Sequence, residues 1–309
     1  MLEAWVARAR LKMIRRPAFS FVLALATLVA LGIPYDGARA GLVDDANPSA
    51  EDACTGVALS RGLKYGENDQ NLVDVATLGD KSSPRPVVLF VAGESFTDDG
   101  TSGDWTMRDQ AMCLAAKNGM VGVAMAYRRA PQFSWPAGAK DVAAAISWIH
   151  QNIDLFGGDR RQIVAVGYSV GAFHLASFLA HRELQDTDSG IAGVVLISGL
   201  YRAGSEAGDA ERSYFGADTS KYEDRSAFPG ILEVEEPIVL AWSAADPPRM
   251  IAQAEALRER LCKAGHCPRV AQVADRDTPA SVFDLNGAGK SLAERTRQLI
   301  DQIEARGLP

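Results

Sequence analysis

Six short, almost uninterrupted apolar runs punctuate the chain: residues 87–92 (VVLFVA), 121–127 (VGVAMAY), 163–168 (IVAVGY), 194–198 (VVLIS), 238–243 (IVLAWS) and 270–274. Runs of this length without polar alternation predict strands buried on both faces of a mainly parallel sheet. Ahead of them, residues 63–65 and 72–76 alternate apolar and polar positions and predict two short antiparallel strands. Helical periodicity fills the intervals, at 107–118, 137–151, 170–181, 249–264 and 291–303. Strand and helix in alternation predict one doubly wound α/β domain. Gly157-Gly158-Asp159 is expected to end the helix that carries Trp148. One connection breaks the rhythm. Residues 200–235, between the sixth and seventh strands, mix clustered charges with Tyr201, Tyr214, Phe215 and Tyr222. That length predicts a lid or binding loop, with a surface excursion as the alternative.

The first 40 residues follow a different logic. Arg8, Arg10, Lys12, Arg15 and Arg16 precede an apolar run at 18–33, and Ala38-Arg39-Ala40 follows it. Basic region, short apolar core and small-residue site are the order of a secretory signal. The run is shorter than the ~20 residues a spanning helix needs, so no stable membrane insertion is expected after cleavage. The expected division is a signal peptide at 1–40 and a single domain at 41–309, secreted or periplasmic. Removing the signal, with six basic and two acidic side chains, takes the net charge from −7 to −11. A mature chain this acidic is a poor partner for nucleic acid or an anionic membrane surface. The four cysteines, Cys54, Cys113, Cys262 and Cys267, allow three pairings in an oxidising compartment. Cys54–Cys113 with Cys262–Cys267 is the favoured one; four free thiols are the alternative. None has the paired spacing with histidine of a zinc site, so no metal or other cofactor is expected.

Chemistry concentrates at Gly167-Tyr168-Ser169-Val170-Gly171, which follows a predicted strand and opens a predicted helix. A sharp strand-to-helix turn lifts a serine hydroxyl above the sheet at a helix N-terminus, and glycines on either side permit close packing. The five-letter pattern alone is only moderately specific; its context makes Ser169 a candidate nucleophile.

Around that turn the chain resembles the α/β-hydrolase carboxylesterases of the feruloyl-esterase-like and hormone-sensitive-lipase-like groups. The resemblance rests on PRPVVLFVAGESF (84–96), AYRRAPQFSWPAGAKDVAAAISWIHQN (126–152), FGGDRRQIVAVGYSVGA (156–172) and IVLAWSAADPP (238–248). It implies an α/β-hydrolase domain with a short insertion between strands 6 and 7, and a small carboxylic ester or acyl molecule as partner. Tyr127-Arg128, Ala130-Pro131, Trp135-Pro136 and Asp141 match a largely architectural signature. Asp246 stands where the acidic triad member follows the seventh strand, although it could instead cap the helix after Pro247. Gly93, Glu94 and the amide of Val170 fall at the oxyanion-hole positions. In the loop after the third strand, Ala92 and Glu94 replace a histidine and a glycine of the family pattern.

One member of the triad is missing. A serine hydroxyl needs a base within hydrogen-bond reach, and Thr278 stands about where the family carries its histidine. No histidine follows His266. His174 lies about 500° around the helix from Ser169 and is expected to pack under the sheet. His150, His181 and His266 are placed farther away. Two functions follow: an esterase with weak or lost activity, or a non-catalytic pseudo-hydrolase that binds a small acyl or aromatic ligand. A purely structural exported protein is a third.

Overall fold

Both faces of the sheet are covered, as uninterrupted apolar strands require. The computed structural model describes residues 50–79, 83–93, 95–98, 105–185, 189–273 and 291–305. The signal-like residues 1–40, Glu94, and residues 274–290 with Thr278 lie outside the described residues. The strands are β1 (Ala58–Lys64), β2 (Leu72–Thr77), β3 (Arg85–Val91), β4 (Val121–Met125), β5 (Gly158–Tyr168), β6 (Gly193–Ile197), β7 (Ile238–Ser243) and β8 (Arg269–Val273). They form one sheet in the order β1-β2-β4-β3-β5-β6-β7-β8. The β1–β2 and β2–β4 pairs are antiparallel, and every later pair is parallel.

Alternate residues of the strands feed two separate cores. Val87, Leu89 and Val91 of β3 join Val142 and Ile146 of α3 (Ala137–Asn152), Leu175 of α4 (Val170–Ala180) and Leu257 of α6 (Pro248–Lys263). Val88 and Phe90 join Met112 of α2 (Trp105–Lys117) and Leu299 of α7 (Ser291–Ala305), together with Ala53 of the short α1 (Ala50–Cys54). These layers are the doubly wound α/β arrangement expected from the alternation.

Both favoured disulfides are present, Cys54–Cys113 from α1 to α2 and Cys262–Cys267 at the end of α6. On the loop-entropy model the first stabilises by about 4 kcal/mol and the second by about 2, because it closes a far shorter loop.

Two local expectations need correction. Strand β5 starts at Gly158, ahead of the apolar run, because Gly158 pairs with Arg85 of β3, and residues 159–162 span a register shift before Ile163 pairs with Val87. Gly157 does not end α3. That helix stops at Asn152, and Gly157, at φ 77°, closes the 3-10 turn Ile153–Phe156.

The segment 200–235 is neither a loose lid nor a plain surface excursion. It contains α5 (Asp209–Phe215), and Tyr201, Tyr214, Phe215 and Tyr222 are all buried. Tyr214, Phe215 and Tyr222 form a small core of their own with Phe96 and Phe173. Helix α6 ties the segment down. Arg249 pairs with Glu206 at 3.1 Å and Glu211 at 2.9 Å, and Gln253 Oε1 accepts from the amides of Tyr201 and Arg202. The fully packed aromatic rings explain why this connection is so long. Among the described residues no helix is long and apolar enough to cross a membrane.

Candidate active site

Parallel strands deliver their following loops to one end of the sheet, and β3, β5, β6 and β7 bring Gly93, Ser169, Ser198 and Asp246 there. Ser169 has φ 51° and ψ −116°, a conformation costly for any residue with a side chain. The turn is held by a hydrogen bond from its amide to Ile197 O at 2.9 Å. Three glycines make the geometry possible. A Cβ on Gly171 would stand 2.1 Å from Val91 O, and one on Gly167 2.6 Å from Ala172 Cα. On Gly93 it would stand 2.8 Å from Ser169 Cβ. Gly93 therefore lies directly against the serine. As the first residue of α4, Val170 has one of the amides that lack an intrahelical partner. Gly93 and Val170 thus both adjoin Ser169.

Behind these loops the signature residues act as a brace. Arg128 Nη2 pairs with the buried Asp141 at 2.7 Å, and the Tyr127 hydroxyl donates to Ala92 O at 3.1 Å, next to Gly93.

Asp246 does not cap α6, whose first turn has no side-chain cap. Its Oδ2 accepts from Ser198 Oγ at 2.6 Å and from the Ser243 amide at 2.9 Å. Ser198 is a residue the sequence did not single out. It has φ 48° and, with Ser169, is one of two non-glycine residues at positive φ among those described. Ile197 and Ser198 are consecutive, so one peptide binds the serine turn and its neighbour binds the acid. Asp246 has no Lys, Arg or His partner among the described residues, and its other carboxylate oxygen, Oδ1, accepts no hydrogen bond there. Its charge is felt nearby. Burial, then the Asp246 carboxylate, push the Tyr168 hydroxyl above its ordinary value. Tyr201 moves the same way, again chiefly through burial.

None of the four imidazoles is hydrogen-bonded to Ser169. His174 is buried inside a ring of Phe96, Tyr127, Phe173 and Tyr214, with Gly138 of α3 packed against it. Its polar neighbour is the Tyr214 hydroxyl, 3.5 Å from Nδ1. Burial lowers its pKa to about 3, so it is neutral. His181 stands twelve residues past Ser169, roughly 18 Å along the helix axis, and faces the carbonyls of Ser177 and Asp224. His150 contacts Gly190 O at 2.9 Å, just before β6 and therefore at the opposite end of the sheet. His266 is exposed and precedes β8, at that same far end. No group of metal-ligating side chains occurs among the described residues.

Comparison with known proteins bears on this geometry. The BD-FAE family model matches residues 73–199, from β2 through the serine turn to the end of β6. Esterase LipC of Mycobacterium tuberculosis is 33% identical over 152 residues, covering 46% of this chain and 36% of that protein. The probable isoprenylcysteine alpha-carbonyl methylesterase ICMEL1 of Oryza sativa subsp. japonica is 29% identical over 142 residues, 46% of this chain and 32% of that protein. The chain thus spans about a third of the length of these relatives. Among solved structures, esterase B from Lactobacillus rhamnosis superposes with a TM-score of 0.65 at 15% identity, over 82% of this chain and 87% of that one. A truncated carbohydrate esterase from gut microbiota gives 0.65 at 15% identity, over 80% and 96%. At that identity the structures speak for the fold, and the family-model match runs through the serine turn itself. The chain has the α/β-hydrolase fold, and it is similar to the BD-FAE family over residues 73–199 and to carboxylesterases.

Proposed function

We propose that this chain is a serine-esterase scaffold for small carboxylic esters whose ordinary turnover is weak or lost. A single observation carries the reading: Ser169 is held in a strained, glycine-lined turn, yet three of the four imidazoles are engaged elsewhere and the fourth, the exposed His266, lies at the far end of the sheet. Residues 274–290 contain no histidine either. Without the triad base, about 10⁶ of rate is lost, and an intact oxyanion hole retains roughly 10³ to 10⁴ over water. In the sequence Glu94 replaces a glycine of the family pattern for that hole, and a carboxylate ~4 Å from a developing oxyanion would oppose it by up to about 4 kcal/mol at an effective dielectric of 20. The other reading, a pseudo-hydrolase with a cleft under residues 200–235, is disfavoured by the buried rings of Tyr214, Phe215 and Tyr222.

The test treats the full chain with a fluorophosphonate probe and short-chain aryl esters beside Ser169→Ala. Slow but Ser169-dependent labelling and turnover are expected. Turnover at the rate of an ordinary esterase would overturn the missing-base reading, and blanks identical to Ser169→Ala would favour the pseudo-hydrolase. The two disulfides and the signal-like order of residues 1–40 support export to an oxidising compartment. The mature N-terminus, read by mass spectrometry, is expected close after Ala40.

A further inference from the structure

Two groups of the site present unused hydrogen-bonding capacity toward ligand. Ser169 Oγ makes no hydrogen bond, and the half-buried Asp246 carboxylate uses one oxygen on Ser198 and Ser243 and leaves Oδ1 without a partner among the described residues. Asp246 also has no cationic partner there, so none of the described residues offsets this half-buried carboxylate. Such a charge favours a ligand that brings an N–H donor or a cation.

Chemistry narrows the class. A carboxylate ligand is repelled by Asp246 and by a chain of net charge −7. An alkyl ammonium pairs well with Asp246 but, being protonated, has no lone pair for the Ser169 proton. Imidazole differs, because one ring nitrogen donates while the other accepts, and its pKa near 6.5 suits a base at neutral pH.

We propose that the site takes carboxylic esters whose acyl part bears an imidazole ring, and that this ring, retained in the acyl-serine, supplies the base the chain lacks. The inference rests on the missing-base reading above. The ring N–H donates to Asp246 Oδ1 throughout and is not consumed. The other nitrogen takes the Ser169 hydroxyl proton as Oγ bonds to the carbonyl carbon and the carbonyl π pair moves to oxygen, near the amides of Gly93 and Val170. Collapse breaks the bond to the alcohol oxygen, which leaves with the proton returned by the imidazolium. Water then repeats the sequence on the acyl-serine, releasing the carboxylic acid and restoring Ser169. Ser198, through its 2.6 Å hydrogen bond, is the positioning residue that keeps Asp246 in place.

The experiment measures 4-nitrophenyl acetate hydrolysis by the full chain with increasing free imidazole. Ser169→Ala is run in parallel, because imidazole alone cleaves this ester. The expected result is a saturable, Ser169-dependent gain of about 10²-fold, the scale of a positioned general base. N-Methylimidazole, which accepts a proton but cannot donate to Asp246, should give a far smaller gain, and Asp246→Asn should erase the difference between the two. Histidine methyl ester should then be cleaved faster than phenylalanine methyl ester. A low basal rate with an imidazole effect equal to that of Ser169→Ala overturns this inference and leaves the missing-base reading standing. A high basal rate that imidazole does not change overturns both.

Discussion

Helix α4 serves two neighbouring regions that hold their reactive groups in opposite ways. At its first residue the turn around Ser169 is built from backbone contacts, with glycines where a Cβ would strike β3 or α4 itself. The serine there is half-exposed, and its hydroxyl has no hydrogen-bond partner among the described residues. One and a half turns along, His174 is enclosed by four aromatic rings and kept neutral by burial. Ser169 is accessible with no imidazole beside it, and His174 has a base's chemistry without access. Catalytic residue types five positions apart in sequence do not make a site; the direction each points decides.

Breaking the first region should have the larger effect. Gly171→Ala sets a Cβ 2.1 Å from Val91 O and 2.6 Å from Ala92 O, both backbone atoms that no rotamer change can move. A loss of about 3 kcal/mol is expected in urea unfolding, the upper range for overpacking, together with slower fluorophosphonate labelling of Ser169. Full stability in this variant would mean that β3 and α4 can separate freely, and the rigid-turn account would fail. Ser198→Ala comes next. It removes a hydrogen bond to a charged acceptor, and a loss of about 2 kcal/mol is expected. The near-ultraviolet signal of the rings around His174 should stay unchanged, because Ser198 touches none of them. An unaltered midpoint would show that the Ser243 amide alone suffices to hold Asp246.

How much of this could be read beforehand depends on which physical signal each part leaves. Apolar runs such as 87–92 announce buried parallel strands, because both faces must be covered. The Gly167–Gly171 pattern announces its turn, because only glycine tolerates those contacts. Asp246 was legible from its place after β7. Ser198 was not. Its positive φ and its reach to Asp246 come from the pairing of β6 with β7, and Ser between Ile197 and Gly199 carries no local mark of that. The early start of β5 was hidden for a related reason: the pairing of Gly158 with Arg85 is made by backbone, which side-chain pattern does not report. In the segment 200–235 the length and clustered charges suggested a lid or binding loop, or else a surface excursion, whereas Tyr214 and Phe215 settle in the core beside Phe96, a contact more than a hundred residues away along the chain.

The second region can be sharpened by pH, with a smaller effect. His174 has a pKa of about 3 when folded, lowered by burial, against about 6.5 in the unfolded chain. Between those values the unfolded chain binds a proton that the folded protein refuses. The stability this contributes is complete above about pH 6.5 and declines as pH falls toward 3, by about 1.4 kcal/mol per pH unit. The groups against the ring are Tyr127 and Tyr214, which stay neutral throughout this window, so they do not blur the slope. In His174→Gln the slope should disappear over the upper part of the window, before ordinary carboxylates begin to protonate. Urea midpoints for the two proteins at matched pH values measure it. If both decline equally, the folded protein accepts the proton at His174, and the ring is then solvated rather than sealed among the aromatic side chains.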